Sequence, residues 1–210
     1  MHTKPHMRIK QSPRAMLKVL HVFKEMLKQQ DYRDIAVADI AHKADVGRTT
    51  FYRYFKRKLD ILIALHQNIF ENIFEDLRST EDWLSTNTPP SLEKLLITFS
   101  RNSMFRRSMS FRLGSDLDAA TKQLQTKLVQ HIENKLVNTF NTDEFIIPSY
   151  TLAHSIAALY LNQIQQLIAS PTPCPIQQAK YLHLLTRGII VAALTTTNSS
   201  ETHTCTNGNH

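Results

Sequence analysis

The sequence predicts an all-α protein, built as a small N-terminal head on a larger helical body. Three observations point there. The 210 residues include only 4 glycines, and most of the 8 prolines fall at apparent boundaries, which favours long helices over strands and turns. Apolar residues recur at three- and four-residue spacing through most of the chain. Charge is unevenly divided: residues 1–60 hold 14 Lys+Arg against 6 Asp+Glu, and residues 61–210 hold 11 against 12. A basic head on a nearly neutral body is what a polyanion-binding module would show, with a merely solubilising basic end as the competing explanation.

Taken in order, residues 1–11 are polar and basic and are expected to form a flexible arm. Ser12-Pro13 reads as an N-cap followed by proline at the first helical position. Met16, Leu17, Leu20, Phe23, Met26 and Leu27 then line one face of a first helix that ends near Gln30. Short helices are expected from Val37 to Ala44, burying Val37, Ile40 and Ala41, and from Arg48 to Tyr54, burying Phe51 and Phe55. Only Asp45-Val46-Gly47 separates them, with Val46 as an apolar plug and Asp45 expected at positive φ. A fourth helix is expected from Lys58 to Arg78, followed by a break containing Trp83 and Thr86 to Pro90. Further helices are placed at Ser91 to Met109, Asp116 to Thr139, Pro148 to Ile168 and Pro175 to Leu194. The chain thus divides into an arm (1–11), a head (12–60), a helical body (61–194) and a tail (195–210) expected to be disordered.

Several function classes are disfavoured. The longest fully apolar run, Ile189 to Leu194, is far too short to span a membrane, and no apolar stretch of secretory type follows the N-terminal charges. Cys174 and Cys205 lack metal-ligand spacing, and the 10 histidines form no ligand pair within an expected helix. No glycine loop for phosphate and no Ser/His/Asp arrangement stands out, so neither cofactor, metal nor enzymatic activity is expected.

The chemistry concentrates in the second short helix. DNA recognition needs phosphate contacts that position and base contacts that specify. Arg48, Thr49, Thr50, Tyr52, Arg53 and Tyr54 fall within seven consecutive positions. With Phe51 inward, Arg48, Thr49, Tyr52 and Arg53 face largely outward. Arg48 and Arg53 can pair bidentately with guanine, worth ~1–3 kcal/mol of discrimination each, and Thr49 can meet a thymine methyl. The competing reading makes the tyrosines packing residues and the arginines a solvated face. Arg8 and Lys10 of the arm would either reach a minor groove or only add charge.

The stretch from Asp39 to Lys58, D-I-A-H-K-A-D-V-G-R-T-T-F-Y-R-Y-F-K-R-K, together with the helix from Arg14, resembles the TetR family of transcriptional regulators as far as about Leu62. Beyond Leu62 the resemblance is one of architecture. It implies a three-helix, helix-turn-helix head and a C-terminal body for ligand binding and dimerisation. It further implies that Thr50, Tyr52 and Lys58 hold DNA phosphates, aided by free backbone N–H groups at the start of the fourth helix. The chain departs from the pattern at Ala36, where many relatives cap the second helix with threonine, and at Asp31, Asp45 and Gly47.

The last two helices are apolar on two faces, and a helix of that kind must bury both. Ala153, Ala157, Leu161, Gly188 and Ala192 are therefore expected at a dimer interface, with a thick monomeric core as the alternative. The resemblance implies the same pairing, as a four-helix bundle. It also implies an effector pocket, for which Phe105, Phe111, His131 and Asn162 are candidate linings. The expected protein is a bacterial, cytoplasmic, homodimeric regulator of transcription, most often a repressor in this family, with double-stranded operator DNA and an unidentified small molecule as partners. The rival is a helical scaffold whose head no longer reads DNA.

Overall fold

The computed structural model describes residues 13–101, 111–169 and 174–194. The arm, Ser12, the tail and residues 102–110, with Phe105 among them, lie outside the described residues. Nine α-helices occur among the described residues: α1 (Pro13–Gln29), α2 (Val37–Lys43), α3 (Arg48–Tyr54), α4 (Lys58–Ile73), α5 (Thr80–Leu84), α6 (Pro90–Arg101), α7 (Leu117–Thr139), α8 (Ser149–Ala169) and α9 (Pro175–Ala193). Their only described strand-like pairing is an isolated bridge between Phe145 and Leu194, beside which the Ile146 N–H donates to the Ala193 carbonyl at 2.8 Å.

The head buries most of the residues its periodicity selects, with one correction: Leu17, expected on the inner face of α1, is 56% exposed, and Val19 takes the buried place instead. Val19, Leu20, Phe23, Met26 and Leu27 of α1 pack with Tyr32, Ile35, Ile40, Phe51 and Phe55, all 5% exposed or less. Below it, α7 packs along α8 and α4, and α9 crosses α6. Among the described residues, no helix is long and apolar enough to cross a membrane.

Two boundaries differ from expectation. The fourth helix stops at Ile73 instead of continuing to Arg78. Its unpaired carbonyls are met by groups from elsewhere: Lys135 Nζ donates to Phe74 O at 3.0 Å, and Ser91 Oγ donates to Ile73 O at 3.2 Å. The expected break also contains a helix, α5. Ser79 Oγ accepts from Asp82 N at 3.3 Å while Asp82 accepts from Ser79 N at 2.9 Å, a reciprocal cap that ends free donors on both sides. That cap delivers Trp83 into the core, stacked 5.8 Å from Phe74.

Candidate nucleic-acid interface

The turn between α2 and α3 sets the geometry of the candidate surface. Asp45 has φ 51°, the left-handed conformation expected of it, and it is the one non-glycine residue with positive φ among the described residues. This lets Val46 N–H reach back to the Ala41 carbonyl at 3.0 Å, and Asp45 N–H to His42 O at 3.1 Å. The last carbonyls of α2 are thereby satisfied and α3 leaves at a sharp angle. Val46 packs half-buried against the head core. Neither helix start has a side-chain cap: Ala36 and Gly47 precede α2 and α3 in extended conformation without one.

One buried residue orients α3. Phe51 is 0% exposed and lies 6.1 Å from the Phe55 ring, which anchors the inner face of the helix. Arg48, Thr49, Tyr52 and Arg53 are consequently exposed, Tyr52 by 53%. Thr50 and Tyr54 are half-buried on its flanks. The Arg53 guanidinium stands 5.3 Å from the Tyr54 ring centroid, a cation–π contact that steadies a long side chain without consuming its donors. A shallow cleft of about 250 Å³ separates α2 from α3, lined by Val37, Ala38, Ala41, Arg48, Phe51 and Tyr52. Ala38 was not singled out from the sequence; its place one position after the first residue of α2, away from Ile40, was the available signal.

Lys58 requires a correction. Its ammonium turns inward, donating to Tyr32 O at 2.5 Å and Ile35 O at 2.8 Å, and lies 4.2 Å from the Tyr32 ring centroid. Burial lowers its pKa, opposed by the charges of Asp116 and Asp34. A phosphate-binding role would require that ammonium to face outward. The N–H groups just before α4 are also engaged: Asp60 Oδ2 accepts from both Lys56 N and Arg57 N at 2.9 Å.

In the body, Ala153 and Ala157 are 0% exposed within one subunit, so they do not lie on a face open to a second copy. Their small size instead admits neighbouring helices of the same chain, and periodicity alone assigned them to the wrong side of α8. Leu161 is half-buried and lines a crevice with Leu113, Leu117, Ala120 and Leu124. Gly188 and Ala192 are exposed. They neighbour Tyr181, Leu185 and Val191, which are 51%, 55% and 40% exposed and were not selected for this role.

The candidate pocket residues do not gather. Phe111 begins the turn Phe111–Asp116, but its side chain lies outside what is described. Asn162 is exposed on α8 and accepts from Gln166 Nε2 at 2.7 Å. His131 lies half-buried, 5.8 Å from the Phe74 ring, beside a polar groove of about 240 Å³ formed with Gln67, Glu71, Lys127, Gln130 and Asn134. Burial, then the charge of Lys135, lowers the His131 pKa; Glu71 opposes them. Among the described residues, no group of three or more His, Cys, Asp or Glu side chains is placed to hold a metal ion.

Residues 19–65 match the profile of the bacterial regulatory proteins of the tetR family. Over 65 residues the chain is 29% identical to the HTH-type dhaKLM operon transcriptional activator DhaS of Lactococcus lactis, a match covering 31% of this chain and 35% of that one. The chain therefore aligns with about a third of the length of this relative. In overall fold it is similar to a TetR-family transcriptional regulator from Syntrophomonas wolfei, with TM-score 0.61, 19% identity and coverage of 89% of this chain and 99% of that one. It is also similar to the TetR family repressor AlkX from Dietzia, implicated in biodegradation of n-alkanes, with TM-score 0.54, 16% identity and coverage of 88% and 98%. At these identities the two structures establish the fold.

Proposed function

The chain belongs, through its head, to the tetR family of bacterial transcriptional regulators, and from that premise we propose that it acts as a cytoplasmic homodimer on a palindromic DNA operator. The observation that carries this reading is the outward grouping of Arg48, Thr49, Tyr52 and Arg53 on one short helix anchored by Phe51. In this reading residues 12–60 read DNA and residues 61–194 govern when, with the arm and the tail flanking them. Arg48 and Arg53 specify bases, Thr49 meets a thymine methyl, and Thr50, Tyr52 and Tyr54 position the helix on phosphates.

One head of this size reads only a few base pairs, so two are needed for a selective site. The exposed stripe of Tyr181, Leu185, Gly188, Val191 and Ala192 on α9 supports pairing of subunits through this helix. Gly188, exposed and without a Cβ, leaves bare backbone in this stripe for a partner helix to approach. A small-molecule effector held in the body would shift the heads and release the operator. For that it must bind the DNA-incompetent arrangement about a hundredfold better, supplying ~2.7 kcal/mol. Repression is the proposed outcome, as for AlkX; activation, as for DhaS, would follow from the same head on a differently placed site.

Selection of bound sequences from a random DNA pool tests the reading. The expected result is one palindrome, bound with steep salt dependence and lost in part when Arg48→Ala or Arg53→Ala relaxes preference at one position of each half-site, by ~1–3 kcal/mol. Enrichment of no sequence would instead favour the helical scaffold, and a monomer in sedimentation at micromolar concentration would remove the dimer.

A further inference from the structure

Tyr32 lies in the short turn between α1 and α2, in the head; Asp116 lies directly before α7, in the body. The Tyr32 hydroxyl donates to Asp116 Oδ2 at 2.6 Å, across 84 positions of sequence. We propose that these two are positioning residues for operator binding: their hydrogen bond fastens the head to the body by a second route beside the chain path through α4 and so fixes the angle at which α3 is presented. The proposal rests on the dimeric, operator-binding reading above.

Several features converge on the bond. Asp116 occupies the residue before α7, where a carboxylate ordinarily caps its own helix, yet its side chain makes no such cap. Its oxygen is taken by Tyr32 instead. Lys58, the first residue of α4, holds the other side of Tyr32 through its ring and its backbone carbonyl. The neighbouring contact needs a glycine: Gly114 has φ 62°, and a Cβ there would lie 3.2 Å from Arg33 Cδ. Two turns, one from each part of the molecule, are thus fitted against each other.

The mechanical reasoning is simple. A single helix joining head to body fixes distance along its axis but leaves rotation about that axis weakly restrained. A second attachment off the axis removes that freedom. Tyr32 is 1% exposed, so phenylalanine would fill its site equally well, and what the hydroxyl adds is the tie. The crevice lined by Leu113, Leu117, Ala120, Leu124 and Leu161 adjoins the same turn, so repacking there would move Asp116 directly.

The test is selection from a DNA pool in which two half-sites are separated by a varied number of base pairs, using wild type, Tyr32→Phe, Asp116→Ala and the double variant, with thermal unfolding measured alongside. Asp116 is only half-buried, so its variant keeps the test open should Tyr32→Phe fail to fold. Wild type is expected to select one spacing. Each variant should select the same half-site sequence but discriminate between spacings about tenfold less, the scale of one charge-assisted hydrogen bond, and the double should be no worse than either single. Variants that melt earlier yet keep the wild-type spacing preference would show a purely structural bond and overturn the proposal. A wild type that selects half-sites without any spacing would instead overturn the dimeric reading, and the positioning role with it.

Discussion

Lys58 shows how the same residue can satisfy two readings of a sequence and only one of a structure. Its position at the start of α4, after four aromatic or basic neighbours, matches a phosphate contact. Its side chain, however, is the right length to fold back over Tyr32 and cap the carbonyls of the α1–α2 turn. No periodicity reports that choice, because the partners lie 23 and 26 positions away. The two roles predict opposite outcomes for Lys58→Ala. As a structural clamp, its loss should cost about 2 kcal/mol of stability in urea unfolding, the range for hydrogen bonds to a charged group in a partly buried site. The salt dependence of DNA binding should keep its slope, whereas loss of a phosphate contact would reduce it by about 1. Arg48 and Arg53, by contrast, were legible from sequence, because a single inward Phe51 on a seven-residue helix settles which way its neighbours face.

At the scale of elements, the helix-turn-helix was readable because its constraints are local. The turn needs one residue tolerant of positive φ, one apolar plug and one short break, and Asp45, Val46 and Gly47 supply them within three positions. The weakness of this pair is equally local. Ala36 ends in extended backbone with no side-chain oxygen to accept from the first turn of α2. Ala36→Ser should therefore raise stability by about 0.5–2 kcal/mol, seen as a higher denaturation midpoint with unchanged m-value. An unchanged midpoint would mean that water already serves those donors. The end of α4 was not readable, because Lys135 and Ser91 stop it from outside. Nor was the burial of Ala153 and Ala157: α8 is apolar on more than one face, and only the packed neighbours decide which face stays inside.

For the whole molecule, the consequence of the buried His66 and His183 and the half-buried His131 is sensitivity to acid. His66 is 0% exposed, its Nδ1–H donates to Leu62 O at 2.8 Å, and burial lowers its pKa from 6.5 to about 4. Burial lowers His131 and His183 as well. The unfolded chain takes up a proton at His66 below about pH 6.5, while the folded chain resists until about pH 4. The stabilisation is therefore complete above pH 6.5 and declines as pH falls through that interval. Urea unfolding between pH 7.5 and 5 should show stability decreasing on acidification. A His66→Leu variant should lose one proton's share of the slope, about 1.4 kcal/mol per pH unit below pH 6. An identical slope in the variant would place the acid sensitivity elsewhere.

The rod between head and body also sets a scale for control. With 16 residues, α4 is roughly 24 Å long at about 1.5 Å per residue; its first residue, Lys58, grips a carbonyl of the α1–α2 turn, and Lys135 of α7 grips the carbonyl just past its last residue. Such a rod behaves as a lever with a defined arm. A tilt of about 5° at the body end would carry the far end sideways by about 2 Å, from that length alone. In a two-fold dimer the displacements add to about 4 Å, more than the rise of one base pair, about 3.4 Å. In the proposed dimer, a body rearrangement that tilts α4 by that angle would therefore change the separation of the two heads by about one base-pair step.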